Sequence, residues 1–221
     1  MADMPAPYAQ IGGVTLYCAD CRDILPQLGA DTVITDPVWP GADVPLEGRS
    51  DPERLLRSTL QQVTPDAVRL AVQLGCDTDP RFQMAVPDCF NFFRVAWLEL
   101  PRKGYRGRLL HTGDVAYLFG DPPPARDGHH VIPGRYIDAD PNGQQREHPT
   151  PRKLGHVEWL VKWWSAPGDT IIDPFAGSGT TGLAAMRWDR ECVLIEIKEK
   201  HCETVARALE QEAKQPTFAY A

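Results

Sequence analysis

The stretch IIDPFAGSGTTG, residues 171–182, decides the fold of this chain. Two β-branched residues lead into Asp173, and three glycines separated by small and hydroxyl residues follow before the helical pattern LAAMRW. This order predicts a buried strand, a tight glycine turn and a helix N-terminus, an arrangement that lets the backbone approach a small molecule closely. We therefore expect a cofactor at this turn.

The turn also indicates which cofactor fits. A phosphate-binding loop needs a lysine before its hydroxyl residue, but Gly179 is followed directly by Thr180. The glycines do have the spacing of a dinucleotide fingerprint, yet Asp173 closes the strand just before them and would repel a pyrophosphate. A later predicted strand, ECVLIEI, ends in Glu196, where doubly wound folds place the acid that accepts from ribose hydroxyls. The site is predicted to take a positively charged nucleoside.

A second predicted strand, TVIT at 32–35, leads into the segment DPVWP. Ligands of open α/β sheets bind at the carboxyl ends of the strands, so this segment and the glycine turn are expected to face one crevice. Before it, residues 11–20 are interpreted as a strand and CRDILPQLG as a helix. Asp20 lies at that switch, where an aspartate is favoured as an N-cap.

Four segments in this order resemble S-adenosylmethionine-dependent amino methyltransferases that act on DNA, in the permuted group whose catalytic motif precedes the cofactor motif. The segments are LYCADCRDIL at 16–25, TDPVWP at 35–40, HPTPRKL at 148–154, similar to the family's HPTxKP, and DPFAGSGTT at 173–181. The resemblance implies an α/β, doubly wound, Rossmann-like fold with a mostly parallel sheet. It also implies S-adenosyl-L-methionine as cofactor and double-stranded DNA as substrate, in DNA modification of the restriction-modification type.

The catalytic motif of the family is D/N/S-P-P-Y/F/W, and its chemistry explains these residue types. An exocyclic amino group is a poor nucleophile because its lone pair is delocalised into the ring, so it must be oriented and reshaped. By resemblance, Asp36 and the carbonyl of Pro37 each accept one N–H, and Trp39 stacks on the base once it has left the helix. Val38 departs from the motif, which has proline there. Alone, this segment could be a strand followed by an ordinary proline turn.

The resemblance also assigns a cofactor pocket. Its residues are Asp20, Asp173, Phe175, Gly177, Ser178, Gly179, Thr180 and Glu196, with His148 and Thr150 at the methionine end. Two assignments have structural alternatives: Asp20 either accepts from the adenine amino group or only caps a helix, and His148 and Thr150 either contact the cofactor or cap the following helix. No metal site is expected, because Cys18 and Cys21 lack the further ligands of a tetrahedral site.

A basic segment, PRKGYRGRLLHTGD at 101–114, is interpreted as a mobile loop. It carries four cations in a chain whose net charge is −7: Arg102, Lys103, Arg106 and Arg108. A charged loop is usually only solvated, but phosphate contacts dominate DNA binding, so we expect this one to contact DNA.

The region 121–147 is rich in proline and glycine and has no periodicity. Together, 101–147 is expected to be a loop region that recognises the target.

The length and composition set further expectations. A chain of 221 residues fits a single methyltransferase domain over 1–221. No apolar run is long enough to span a membrane, and the first residues lack the features of a signal peptide, so a cytoplasmic protein with reduced cysteines is expected. Members of the family often dimerise, which makes a homodimer a further expectation.

Three alternatives remain for the function. Aspartate at the first motif position favours adenine N6 as the target, and cytosine N4 is the alternative within the family. An acceptor-proline-aromatic motif also suits amino groups of RNA or of a protein amide, although the permuted motif order argues against the latter. A non-catalytic DNA-binding subunit that has lost its chemistry through Val38 is the third, against which the intact glycine turn speaks.

Overall fold

The computed structural model describes residues 4–40, 48–126, 128, 131–138 and 152–215. The strands are β1 Ala9–Ile11, β2 Val14–Cys18, β3 Thr32–Thr35, β4 Arg69–Gly75, β5 Phe92–Arg106, β6 Leu109–Gly120, β7 Arg135–Ile137, β8 Thr170–Asp173 and β9 Glu191–Glu196. The α-helices are α1 Cys21–Ile24, α2 Pro52–Leu60, α3 Leu154–Trp164, α4 Thr180–Arg187 and α5 Glu199–Ala213, and short 3₁₀ turns cover Leu25–Gln27 and Pro80–Ala85.

The strands form one mixed sheet in the order β1-β2-β9-β8-β3-β4-β6-β5-β7. Its centre, from β2 through β9, β8 and β3 to β4, is parallel. The chain leaves β8 through α4 towards β9, and it leaves β3 through α2 towards β4 on the opposite side. The strand order therefore reverses between β8 and β3, where doubly wound folds bind their ligands. The predicted fold class is confirmed.

Both faces of the sheet are covered, so its central strands are buried on two sides. All four residues of β3 are buried. On one face α3, α4 and α5 supply a large apolar cluster that includes Leu160, Leu183 and Val205. On the other face α2 contributes Leu56 and Leu60. The segment SDPERLLRSTL predicts a helix that Asp51 caps and in whose first turn Pro52 lies. The structure confirms this start, because the Asp51 side chain accepts a hydrogen bond from the backbone N–H of Arg54 at 3.1 Å.

The interpretation of 101–114 as a loop was wrong. β5 and β6 continue through this segment and form a long hairpin that turns only at Gly107 and Arg108. Both turn residues have positive φ, 56° and 68°, as the tight two-residue turns of β-hairpins require. Cations are usually signs of a loop, but here each strand is held by pairing with the other along the hairpin.

Two smaller strand predictions also need correction. Residues 11–20 are not one strand: the chain turns at Gly12, whose φ is 58°, and β1 pairs antiparallel with β2. The region 121–147 is not entirely loop, because it contains β7, which pairs in parallel with β5. A three-residue strand has too few positions to show a period, so its edge pairing could not be read locally.

Candidate active site

A cleft of about 440 Å³ opens at the carboxyl ends of β2, β9, β8 and β3, on both sides of the strand reversal. Its walls bring together predicted residues from four segments of the chain. These are Asp20, Asp36, Pro37, Trp39, Asp173, Phe175, Gly177, Ser178, Thr180 and Glu196. Gly179 belongs to the same glycine turn but does not line the cleft, and none of the described side chains of the β5–β6 hairpin lines it. His148 and Thr150 lie outside the described residues.

The glycine turn is shaped by left-handed backbone. Gly177 has φ 50° and Gly179 has φ 74°, a region that side-chain-bearing residues rarely adopt. A Cβ on Gly179 would stand 2.7 Å from Cγ1 of Val205, so the turn also allows α5 to pack closely. Gly179 caps α4, and the hydroxyls of Ser178 and Thr180 lie 2.9 Å apart beside it.

The carboxylate of Glu196 links the end of β9 to this turn. One oxygen accepts from the backbone N–H of Gly177 at 3.0 Å, and the other accepts from that of Lys198 at 2.9 Å. Nδ1 of His201 lies 3.4 Å from the second oxygen. Each carboxylate oxygen can accept more than one hydrogen bond, so Glu196 can still accept from a ligand in the cleft.

Asp173 is turned inward rather than towards solvent. One oxygen accepts from the Thr35 hydroxyl at 2.9 Å and from the Phe175 N–H at 3.1 Å, and the other accepts from the Thr181 hydroxyl at 2.6 Å. Burial raises the pKa of Asp173 to about 6, against the lowering effect of these hydrogen bonds. The carboxylate thus fastens the turn to β3 and α4.

Asp20 caps α1. Its side chain accepts from the backbone N–H and from the guanidinium Nε of Arg22, both at 2.9 Å. The hydrogen bond from the guanidinium lowers the pKa of Asp20, so this acid is a stable carboxylate at the mouth of the cleft. The capping role is therefore seen directly, and the contact with an adenine amino group stays a prediction.

Sequence reasoning missed Arg152, which lines the cleft beside Asp36. Its Nε donates to one oxygen of Asp36 at 2.6 Å, and its Nη2 donates to the other at 2.5 Å. The centre of the guanidinium lies 5.5 Å from the Trp39 ring centroid. The only local signal is its place in HPTPRKL, where the family motif HPTxKP has a lysine. Half-buried Val38 lines the same part of the cleft.

The guanidinium has a third anchor on the next strands. Its Nη1 donates to Asp114 of β6 at 3.0 Å, and the same Asp114 oxygen accepts from Gln73 of β4 at 3.2 Å. Nδ1 of fully buried His156 lies 4.0 Å from that oxygen. Burial lowers the pKa of His156, which favours its neutral form. A polar network therefore runs from Asp36 to the base of the hairpin.

Among the described residues, no group of three or more His, Cys, Asp and Glu side chains is placed to hold a metal ion. All six cysteines are free. None of the described helices has the length and hydrophobicity needed to cross a membrane.

The strand order, the glycine turn and the acid-ended strands define a Rossmann-like methyltransferase fold. Residues 102–207 match the family described as DNA methylase, N6_N4_Mtase. The DNA adenine methyltransferase YhdJ of Escherichia coli (strain K12) is 32% identical over 92 residues, 40% of this chain and 31% of that protein. The matched segments cover less than a third of each curated relative compared.

Solved structures extend the likeness over most of the chain. The M1.HpyAVI–SAM complex has a TM-score of 0.68 at 21% identity and covers 89% of this chain and 98% of that one. The PvuII DNA methyltransferase (cytosine-N4-specific) has a TM-score of 0.68 at 14% identity, over 96% of this chain and 90% of that one. The resemblance seen in the motifs is confirmed: part of the chain matches the DNA methylase family, and the solved DNA methyltransferases share its fold.

Proposed function

We propose that this chain transfers a methyl group from S-adenosyl-L-methionine to an exocyclic amino nitrogen of a base in double-stranded DNA, with adenine N6 favoured. One observation carries the proposal. The acceptor motif that begins at Asp36 and the glycine turn that follows Asp173 leave neighbouring parallel strands and line one cleft. A methyl donor and an amino acceptor could thus meet at the point where the strand order reverses.

The donor set of the cleft fits the cofactor. A volume of about 440 Å³ lies within the range of small-molecule sites. The acids Asp20 and Glu196 end two adjacent strands, where they can accept from the adenine amino group and the ribose hydroxyls. Phe175 supplies an apolar wall, and the cofactor supplies an electrophilic methyl group when it is bound. In this proposal His148 and Thr150 contact its methionine end.

The catalytic end of the cleft prepares the nucleophile. The Asp36 carboxylate and the Pro37 carbonyl accept the two amino N–H groups, which directs the nitrogen lone pair towards the methyl group. Trp39 is partly buried against the apolar cluster below α2, which gives the base a fixed surface for stacking. The described side chains therefore orient the amino group.

Transfer of labelled methyl from S-adenosylmethionine to an unmethylated duplex tests the proposal, and nucleoside mass spectrometry of the product identifies the base. N6-methyladenine is the expected product, and a duplex already methylated at adenine is the control. N4-methylcytosine alone would contradict the choice of base. Binding to DNA without any transfer would favour a non-catalytic subunit, and transfer only to RNA or protein would contradict DNA as the substrate.

The hairpin of β5 and β6 is proposed as the DNA contact within the target-recognition region 101–147. Its outer part carries solvent-exposed Tyr105, Leu109 and Leu110, and exposed Arg108 lies at its turn. Arg102, Lys103 and Arg106 belong to the same strand, β5. Four cations on one arm of a chain with a net charge of −7 favour a phosphate contact here.

Neutralising Arg102, Lys103, Arg106 and Arg108 together to glutamine is expected to weaken DNA binding and to flatten its salt dependence. Each lost phosphate contact should reduce the slope of log affinity against log salt by about 0.9. Fluorescence anisotropy over a series of salt concentrations measures the slope. Neutralising exposed Lys200 and Arg207 of α5, together with Lys214 directly after it, is the control, and an equal change in both variants would show that the hairpin has no special contact.

Replacing Glu196 by alanine is expected to weaken S-adenosylmethionine binding by about 1.5–3 kcal/mol, the range for hydrogen bonds to charged groups. Calorimetric titration measures it. Because Glu196 also accepts from Gly177 and Lys198, Glu196→Gln is the matched variant that keeps an acceptor for one of them. Unchanged affinity in the alanine variant would remove Glu196 from the ribose.

The other expectations of the resemblance belong to this proposal as well. The described sheet and the region 101–147 would serve one methyltransferase domain, in the cytoplasm. A homodimer would present two recognition regions to DNA. Sedimentation velocity of the purified chain, alone and with duplex, measures the oligomeric state.

A further inference from the structure

We propose that Arg152 is a positioning residue for methyl transfer: it holds the Asp36 carboxylate ionised and in one orientation, as the acceptor for the target amino group. The inference rests on the proposed function and deepens it. It assigns a role to a side chain that contacts the acceptor rather than the reacting nitrogen.

The geometry of the Arg152–Asp36 ion pair leaves the Asp36 carboxylate able to accept further hydrogen bonds. The two nitrogens Nε and Nη2 each donate to a different carboxylate oxygen, so the guanidinium forms a planar fork on Asp36. An ionised carboxylate has about four lone-pair sites, and the fork uses one on each oxygen. The remaining sites can accept an N–H from the base. The fork therefore fixes the plane of the carboxylate without exhausting it as an acceptor.

The orientation of Arg152 is fixed by a contact on the side away from Asp36. Its third contact, to Asp114, is reinforced by Gln73, and both partners lie on paired strands of the sheet. The side chain of Arg152 is 16% exposed, and its guanidinium lies against Trp39. The acceptor and the proposed stacking ring are thus held by one cation. A planar guanidinium is suited to such a bidentate and stacked position, whereas a lysine offers only a point charge.

The charges around Asp36 explain why a cation is needed. Arg152 and Asp114 act on the pKa of Asp36, Asp36 in turn acts on that of Asp173, and His156 faces Asp114 from α3. Burial raises the pKa of Asp36, Asp114 raises it further, and Arg152 acts in the opposite direction. Without Arg152 this acid would share a poorly solvated site with two others. A protonated carboxyl group has lost acceptor capacity, so transfer would then depend on pH.

An acid with a raised pKa is ionised only at higher pH, so the Arg152→Met variant should regain activity as the pH rises. At neutral pH we expect its single-turnover rate to fall roughly 10–100-fold. Removing a residue that orients a metal ligand through a hydrogen bond has an effect of this size in other proteins. The KM for DNA should change much less than kcat. Arg152→Lys keeps a charge but loses the fork, so its rate should fall without the pH shift.

The test measures single-turnover methyl transfer from about pH 6 to pH 9, the range around neutral in which a raised carboxyl pKa becomes visible. The control is Arg187→Met on α4, which removes another partly buried arginine with two carboxylate partners, Glu158 and Glu212. That variant should keep the wild-type pH profile. An Arg152→Met variant with the wild-type rate and profile would contradict the proposal. A faster rate at every pH would also overturn it, since the guanidinium would then block the base.

A second readout does not need activity. Titration of the ¹³C-labelled aspartate carboxyl signals by NMR, with Asp36 assigned through Asp36→Asn, follows the ionisation of this group in the folded chain. We expect Asp36 to titrate at higher pH in Arg152→Met than in wild type. Identical titrations would refute the inference. Wild-type protein that transfers no methyl group would refute the proposed function instead, and the NMR result would still decide the role of Arg152.

Discussion

Asp36→Ala is expected to lower the single-turnover rate of methyl transfer by about 10²–10³, the cost of losing one preorganised electrostatic contact. The carboxylate should stabilise the nitrogen most as it becomes tetrahedral and gains positive charge. The loss should therefore appear in kcat rather than in KM. Cofactor affinity should stay nearly normal, because Glu196 and the glycine turn belong to other strands. DNA affinity should be retained.

The ion pair with Arg152 makes the stability control essential. Removing one partner of a partly buried ion pair is destabilising, so Asp36→Ala should also lower the melting temperature, although Arg152 keeps its contact with Asp114. Asp36→Asn keeps the side-chain shape and one acceptor oxygen, so its single-turnover rate and its melting temperature should fall less than those of Asp36→Ala. Melting temperature, cofactor affinity and single-turnover rate are measured on one preparation of each variant. A near-native rate in the folded alanine variant would mean that the chemistry is carried elsewhere.

The parts of the fold that the sequence predicts are those with local signals. Ile171 and Ile172, the glycine turn and the acid at 196 occur in an order that only a strand, a tight turn, a helix and a second strand satisfy. The same holds for α2, whose cap and first-turn proline precede a helical apolar face. These elements lie as predicted, and they place both halves of the cleft at the strand reversal.

The elements that escaped prediction depend on pairing. The outer parts of β5 and β6 carry cations and glycines, and they are strands because each pairs with the other. Their ladder even contains an irregularity between Glu99 and Gly104, which breaks the alternation that a pattern search needs. Edge strand β7 depends likewise on a partner distant in sequence.

The candidate site likewise contains residues that local motifs identify and a contact that only the packing of distant segments reveals. Asp36, Trp39 and Glu196 could be named because motif spacing marks them. Arg152 could not, since it meets Asp36 across 116 residues of sequence and nothing in HPTPRKL specifies that contact. The hydrogen bond from Thr35 to Asp173 spans 138 residues, and it shows that this predicted pocket carboxylate also anchors the glycine turn internally. Motifs identify the participants, and packing decides which of them bind one another.

The burial of Asp173 predicts that the stability of the fold depends on pH. The pKa of Asp173 is about 6 in the folded chain, against an ordinary value of 3.8, because burial disfavours the charged form. The folded state holds the proton more tightly, so this group's contribution to stability is complete below pH 3.8 and is lost as the pH rises through 6. The shift corresponds to about 3 kcal/mol of unfolding free energy.

Asp173→Asn is expected to abolish this loss. Asparagine keeps an oxygen for the Phe175 N–H, and its amide can donate to the Thr181 hydroxyl, but it has no charge to bury. Urea unfolding of both proteins from about pH 4 to pH 8 isolates the effect, because other titrating groups cancel in the difference. The unfolding free energy of Asp173→Asn should increase relative to that of wild type as the pH rises.

Thr181→Val should have the opposite effect, because the Asp173 carboxylate loses a hydrogen-bond donor. Its unfolding free energy should continue to fall up to a higher pH than in wild type. Parallel curves for all three proteins would show that Asp173 ionises as easily in the folded chain as in the unfolded one, and its hydrogen bonds would then fully offset its burial.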